Sequence, residues 1–118
     1  VKDSFNSYPV DSFSQATAVA SLSDEDYFRK CCDRICSSRE SLIEGLGNLG
    51  FDVLPSKTNF VFASHPAISG AELYGELYKR KILVRYWDTP RLQNHVRITV
   101  GSENQCRQLL SELGKIVL

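Results

Sequence analysis

Two arginines, Arg85 and Arg97, are the residues of this chain whose type and setting could do chemistry. Arg97 lies in His95-Val96-Arg97-Ile98-Thr99-Val100, where Val96, Ile98 and Val100 alternate with His95, Arg97 and Thr99. That period of two describes a strand with one apolar and one polar face, and it sets Arg97 mid-strand on the face opposite the core. A guanidinium held there can grip a carboxylate or phosphate through its planar fork, although a solvated surface arginine gives the same pattern. Arg85 sits among Ile82, Leu83, Val84, Tyr86 and Trp87, an apolar setting for a permanent charge. A charge buried there needs an anion, supplied either by Asp88 or another acid, or by a ligand. Two such arginines on successive strands could serve one pocket, suited to a substrate with two negative ends.

Other chemistry finds little footing. There is no G-x-G-x-x-G, P-loop or G-x-S-x-G. His65 and His95 have no acid or nucleophile partner visible in the sequence and read as structural. Tyr74 and Tyr78 read as packing residues, and Lys2, Lys30, Lys57, Lys79, Lys81 and Lys115 read as surface positions. Cys31, Cys32 and Cys36 crowd one helical stretch, Cys106 stands apart, and none forms a C-x-x-C pair. They are expected to be reduced and structural, in a cytoplasmic setting, with no zinc site. Fourteen basic residues balance fourteen acidic ones, which removes the electrostatic signature of nucleic-acid or anionic-membrane binding. No apolar run approaches the ~18 residues of a membrane span, and no signal-peptide pattern opens the chain. The 118 residues suffice for one domain. Because the chain opens on Val1 and contains no methionine, it is expected to be a piece of something longer.

The elements that must position the arginines follow from local signals. Val1 to Pro9 reads as extended, and Asp11 caps a short Ala/Ser-rich helix reaching Leu22. Ser23-Asp24-Glu25-Asp26 predicts a second helix start, with Ser23 as the cap. Phe28, Cys31, Ile35, Leu42, Leu46 and Leu49 mark one face of that helix, which stops near Gly50. At about 25 residues and roughly 37 Å it is longer than so small a domain needs. Strands are predicted at 51–54, 58–63, 82–87 and 95–100. Ser69 with Glu72 and Ser102 with Gln105 are capping boxes opening the last two helices. Leu73, Leu77 and Tyr74 are expected inward from the first of these, and Cys106, Leu109, Leu110, Leu113 and Val117 from the second. The fold class is α+β, a small mainly antiparallel sheet covered by helices on one face. Residues 1–22 are read as an interdomain segment and 23–118 as the domain.

Three stretches together carry a family resemblance. Lys81-Ile82-Leu83-Val84-Arg85 followed by His95-Val96-Arg97-Ile98-Thr99-Val100-Gly101-Ser102 resembles the C-terminal signature of histidinol-phosphate aminotransferases, "gI-L-V-R…L-R-I-[ST]-V-G-[ST]". Pro55-Ser56-Lys57-Thr58-Asn59-Phe60 resembles their "P-S-x-x-N-F" strand, and Phe5-Asn6-Ser7-Tyr8-Pro9-Val10 their passage from the large domain into the small one. The resemblance implies the C-terminal small domain of a fold-type I enzyme. That enzyme moves an amino group between glutamate and imidazole-acetol phosphate, in histidine biosynthesis, with pyridoxal 5′-phosphate. It implies that Arg97 clamps the substrate α-carboxylate and that Arg85 contacts the substrate phosphate. It also implies a homodimeric parent and a large domain that carries the cofactor lysine, since no S-K-x-x-x-L-A-G-x-R-like stretch occurs here. The chain alone is therefore expected to be inactive and to bind no cofactor. The same domain of a threonine-phosphate decarboxylase-like or other fold-type I enzyme is an alternative, as is a non-catalytic ligand-binding module.

Overall fold

A computed structural model describes residues 9–117; Val1 to Tyr8, expected as extended chain, lie outside the described residues, as does Leu118. The order is α1 (Ser12–Ser23), α2 (Glu25–Asn48), β1 (Asp52–Leu54), β2 (Phe60–Ser64), α3 (Gly70–Lys79), β3 (Arg85–Tyr86), β4 (His95–Thr99) and α4 (Glu103–Val117). The chain divides into two compact units, Val1–Cys32 and Asp33–Leu118, and the division falls inside α2.

In the first unit, Asp11 caps α1 by accepting the Ser14 amide at 3.0 Å and its hydroxyl at 2.7 Å. Those hydrogen bonds, the side-chain one foremost, hold the Asp11 carboxyl below its usual value. The cap of α2 is Asp24, which accepts the Tyr27 amide at 3.1 Å, and not Ser23 as expected. Ser23 ends α1, and its hydroxyl donates back to the Val19 carbonyl instead. Helix α1 buries none of its residues, and Phe13 (81%) and Leu22 (83%) stand open to solvent. The apolar stripe expected along α2 is likewise buried only in its second half, for Phe28 is 59% exposed whereas Leu42 and Leu46 are fully covered.

In the second unit the four strands form one antiparallel sheet in the order β1-β2-β4-β3. Val61 and Ala63 of β2 and Val96 and Ile98 of β4 are buried, and they meet Leu42 and Leu46 of α2, Leu73 and Leu77 of α3, and Cys106, Leu109 and Leu113 of α4 in a single core. Alternation then sends Phe60, Phe62, His95 and Arg97 to the other face. The expected strand at 82–87 is hydrogen-bonded only at Arg85–Tyr86. It is the sheet edge, and the chain enters it from a left-handed residue, Lys81, so the ladder begins late.

Local chemistry sets the joints. Gly50 ends α2 at φ +83°, with the Phe51 amide returning to the Leu46 carbonyl and the Gly50 amide to the Gly47 carbonyl. This is a Schellman cap, and glycine supplies its left-handed position without steric cost. The same pair of bonds ends α3, from Ile82 to Leu77 and from Lys81 to Tyr78, but here the left-handed position (φ 61°) is held by a lysine. Both reciprocal bonds of the Ser69–Glu72 capping box are present, and Ser102 exchanges the corresponding bonds with Gln105. At Gly70 a Cβ would lie 2.5 Å from the Gln93 carbonyl oxygen and 3.0 Å from the Asn94 carbonyl carbon, so α3 begins against the backbone that leads into β4. Arg80 ties α3 to α4, its guanidinium pairing with Glu76 at 2.6 Å and with Glu112 at 3.3 Å.

Two outcomes follow from these joints. Lys81→Gly should raise unfolding free energy by about 1 kcal/mol in urea titrations, since it relieves a Cβ penalty of roughly that size; an unchanged midpoint would remove the strain from the account. The Glu112 carboxyl is held below its ordinary value of 4.5, chiefly by the Lys115 hydrogen bond and then by the charges of Lys115 and Arg80. A depressed carboxyl contributes stability above its unfolded pKa and loses it as pH falls through the folded one. Glu112→Gln should therefore lower the melting temperature at pH 7 and make its decline below pH ~4.5 shallower, read by scanning calorimetry at pH 7 and pH 3.

Candidate functional site: a cross-strand arginine pair

The strand register brings the two arginines together. Arg97 faces Phe62 across β2–β4 and Arg85 across β3–β4, so Leu54, Phe62, Arg97 and Arg85 form one row across the sheet on the face away from the helices. Directly opposed residues have Cβ atoms about 4.5–5.5 Å apart. Arg97 is half-buried and Arg85 exposed. The apolar burial expected for Arg85 is thus corrected: Ile82, Val84 and Tyr86 turn toward the core, while Leu83 and Arg85 turn out. Asp88 is not the partner of Arg85. Desolvation first, then the nearby Asp88 charge, push the Tyr86 phenol above its usual pKa. Among the described residues no carboxylate lies within ion-pair distance of either arginine.

Aromatic rings occupy the place an acid would take. The Arg97 guanidinium carbon lies 5.1 Å from the Phe60 ring centre and 5.5 Å from that of Trp87, and the Arg85 guanidinium carbon lies 5.2 Å from the same Trp87 ring. Phe62 meets Trp87 edge-on at 6.4 Å and stacks on His95 at 4.6 Å. The Nε of Arg97 and the Nδ1 of His95 are buried without a hydrogen-bond partner. Like charges opposed on a sheet cost roughly 0.2–1 kcal/mol, and each cation–π contact returns about 0.5–1 kcal/mol at an exposed site. The rings therefore offset the repulsion without neutralising the charge. What remains is a doubly positive patch with hydrogen-bond donors, fit for a dianion.

Other candidates resolve as structural. His65 accepts the Ala67 amide on Nδ1 at 3.2 Å, so the proton sits on Nε2, which donates to the Leu49 carbonyl at 3.2 Å. Tyr74 stacks on Tyr86. Sequence reasoning missed Arg39, which is 6% exposed and donates to the Thr58 carbonyl at 3.0 Å. Its signal was present, for it fills the gap in the apolar stripe between Ile35 and Leu42. It anchors the turn before β2, where the Ser56 hydroxyl also bonds the Phe60 carbonyl at 2.5 Å. Among the described residues no group of three or more His, Cys, Asp or Glu could hold a metal, and no helix is long and apolar enough to cross a membrane.

The family model of the class I and II aminotransferases matches residues 1–113. The chain belongs to that family. It is 50% identical over 113 residues to the histidinol-phosphate aminotransferase of Acinetobacter baylyi, covering 96% of this chain and 31% of that protein. The crystal structure of the histidinol-phosphate aminotransferase from Clostridium acetobutylicum superposes with a TM-score of 0.86 at 28% identity, over 98% of this chain and 36% of that one. The fold also matches the histidinol-phosphate aminotransferase from Sinorhizobium meliloti solved with pyridoxal-5′-phosphate, with a TM-score of 0.75 at 24% identity, over 86% of this chain and 28% of that one. The chain thus spans about a third of the length of such relatives. Aminotransferases of this family use pyridoxal phosphate. An amine that carries that cofactor needs a setting that depresses its pKa. Lys30, Lys57, Lys79, Lys81 and Lys115 are all exposed, and Lys79 and Lys115 are ion-paired with Glu76 and Glu112. The described residues do not by themselves make an attachment site.

The arginine pair has a salt signature of its own. The stability difference between wild type and Arg85→Gln should move in favour of wild type as salt rises from 20 mM to about 0.5 M, because screening relieves repulsion. An ion-paired Arg85 would give the opposite slope in urea titrations.

Proposed function

We propose that this chain is the substrate-gripping small domain of a histidinol-phosphate aminotransferase, with residues 1–22 as the passage from the large, cofactor-bearing domain. The observation that carries this reading is the Arg85–Arg97 pair, two uncompensated guanidinium groups side by side on the open sheet face. The reaction moves the amino group of glutamate to imidazole-acetol phosphate, leaving 2-oxoglutarate and histidinol phosphate. Arg97 takes the α-carboxylate of glutamate and Arg85 the phosphate of imidazole-acetol phosphate, as the two substrates enter in turn. The fork of a guanidinium suits either anion, and a strand at the centre of the sheet holds Arg97 more firmly than a loop would. When bound to the large domain, pyridoxal phosphate supplies the electron sink for the carbanion. This chain contributes binding and orientation, and closure over the anion would exclude water.

The exposed apolar residues of α1 and early α2, Phe13, Val19, Leu22, Tyr27 and Phe28, support the junction reading, since surface of this kind marks an interface. Four free cysteines suit a reducing, cytoplasmic setting. The parent is proposed to be a homodimer.

The test is a chimera in which residues 1–118 replace the corresponding third of the Acinetobacter baylyi enzyme. It should form histidinol phosphate with glutamate as donor. Arg97→Gln should lower its kcat/KM roughly a hundredfold or more, in line with the ~2–5 kcal/mol cost of stripping one partner from a desolvated charge pair. Residues 1–118 alone should show neither turnover nor a borohydride-fixed pyridoxal adduct at a defined lysine. A chimera indifferent to Arg97→Gln, or an active isolated chain, would defeat the assignment.

A further inference from the structure

We infer that Trp87 is the positioning residue of the anion site: its single indole engages both guanidinium groups and sets how they are presented to a dianion. The inference rests on the reading of Arg85 and Arg97 as anion ligands and adds what holds them ready. Arg85 and Arg97 are directly opposed across β3–β4. Two flexible side chains of like charge, so placed and with no acid partner among the described residues, would splay apart and pay an ordering cost each time an anion bound. Trp87 lies two residues beyond Arg85, just past the end of β3, with its ring against both arginines. Its ring centre is 5.2 Å from one guanidinium carbon and 5.5 Å from the other.

The ring is itself braced. Phe62, the neighbour of Arg97 on β2, meets it edge-on, and His95 stacks behind Phe62. A cation–π contact uses the face of the guanidinium and leaves its terminal N–H groups free to donate, although the Nε of Arg97 is itself buried. The terminal N–H groups of both can therefore serve one dianion while the indole partly stabilises their charges. An aliphatic residue at position 87 would cover the same apolar surface but attract neither charge.

Trp87 is the sole tryptophan of the chain, so the 118-residue protein offers clean readouts. In the free chain the side-chain protons of Arg85 and Arg97 should resonate upfield of ordinary arginine values through the indole ring current. Inorganic phosphate should then shift Trp87 emission saturably, with sulfate acting alike and chloride at equal ionic strength failing. By calorimetry, Trp87→Leu should weaken phosphate binding about tenfold while Trp87→Phe stays within about threefold, because only an aromatic face retains the cation–π attraction. Arg85 and Arg97 protons at ordinary shifts would overturn the inference, as would Trp87→Leu binding phosphate as tightly as wild type. Upfield arginines in a wild-type chain that binds no phosphate would instead defeat the anion-site reading while upholding the role of Trp87 in holding the pair.

Discussion

Everything at the site depends on the register of β2 against β4. Side chains alternate along a strand, so pairing Val61 with Ile98 and Ala63 with Val96 buries all four under the helices and sends Phe62 and Arg97 to the opposite face. A slip of one residue would drive Arg97 into a core of leucines and valines and lift Ile98 into solvent. Leu42, Leu46, Leu73, Leu77 and Leu113, all essentially sealed from water, make that alternative prohibitive. The hydrophobic core thus aims a guanidinium it never touches.

The open face shows the reverse economy. Among the described residues its arginines have no acid partner, and the local cost of opposing them is met by Phe60 and Trp87 rather than by a carboxylate. An acid would have stabilised the domain more, but it would compete with an incoming anion. On the proposed reading, the charge is left uncompensated at a rigid strand for an incoming anion. By contrast Arg80, away from this face, is fully engaged with Glu76 and Glu112 and serves to lock α3 to α4.

The contrast between the two units has the same root. From Asp33 onward the helices bury apolar residues in a core, whereas Phe13, Leu22 and Phe28 stay exposed. A helix is set by its own residues and caps, so α1 and the start of α2 form although little of their surface is covered. Apolar residues at helical spacing are evidence of a face that some partner is meant to bury, and the partner need not be in the same stretch of chain.

The sequence by itself determined the features that depend on neighbours a few residues apart. The Asp11 cap, the Ser69–Glu72 and Ser102–Gln105 boxes, the Gly50 terminator and the alternation in β4 all act within a turn or a strand, and each was legible. So was the outward face of Arg97. Only the tertiary structure decided what depends on register and packing between distant segments. It set Arg85 beside Arg97, brought the Asp88 charge near the Tyr86 phenol, placed one indole against two guanidinium groups and buried Arg39 beneath the turn before β2. Those pairings join residues through hydrogen bonds and core contacts made elsewhere in the sheet, and no local pattern encodes them.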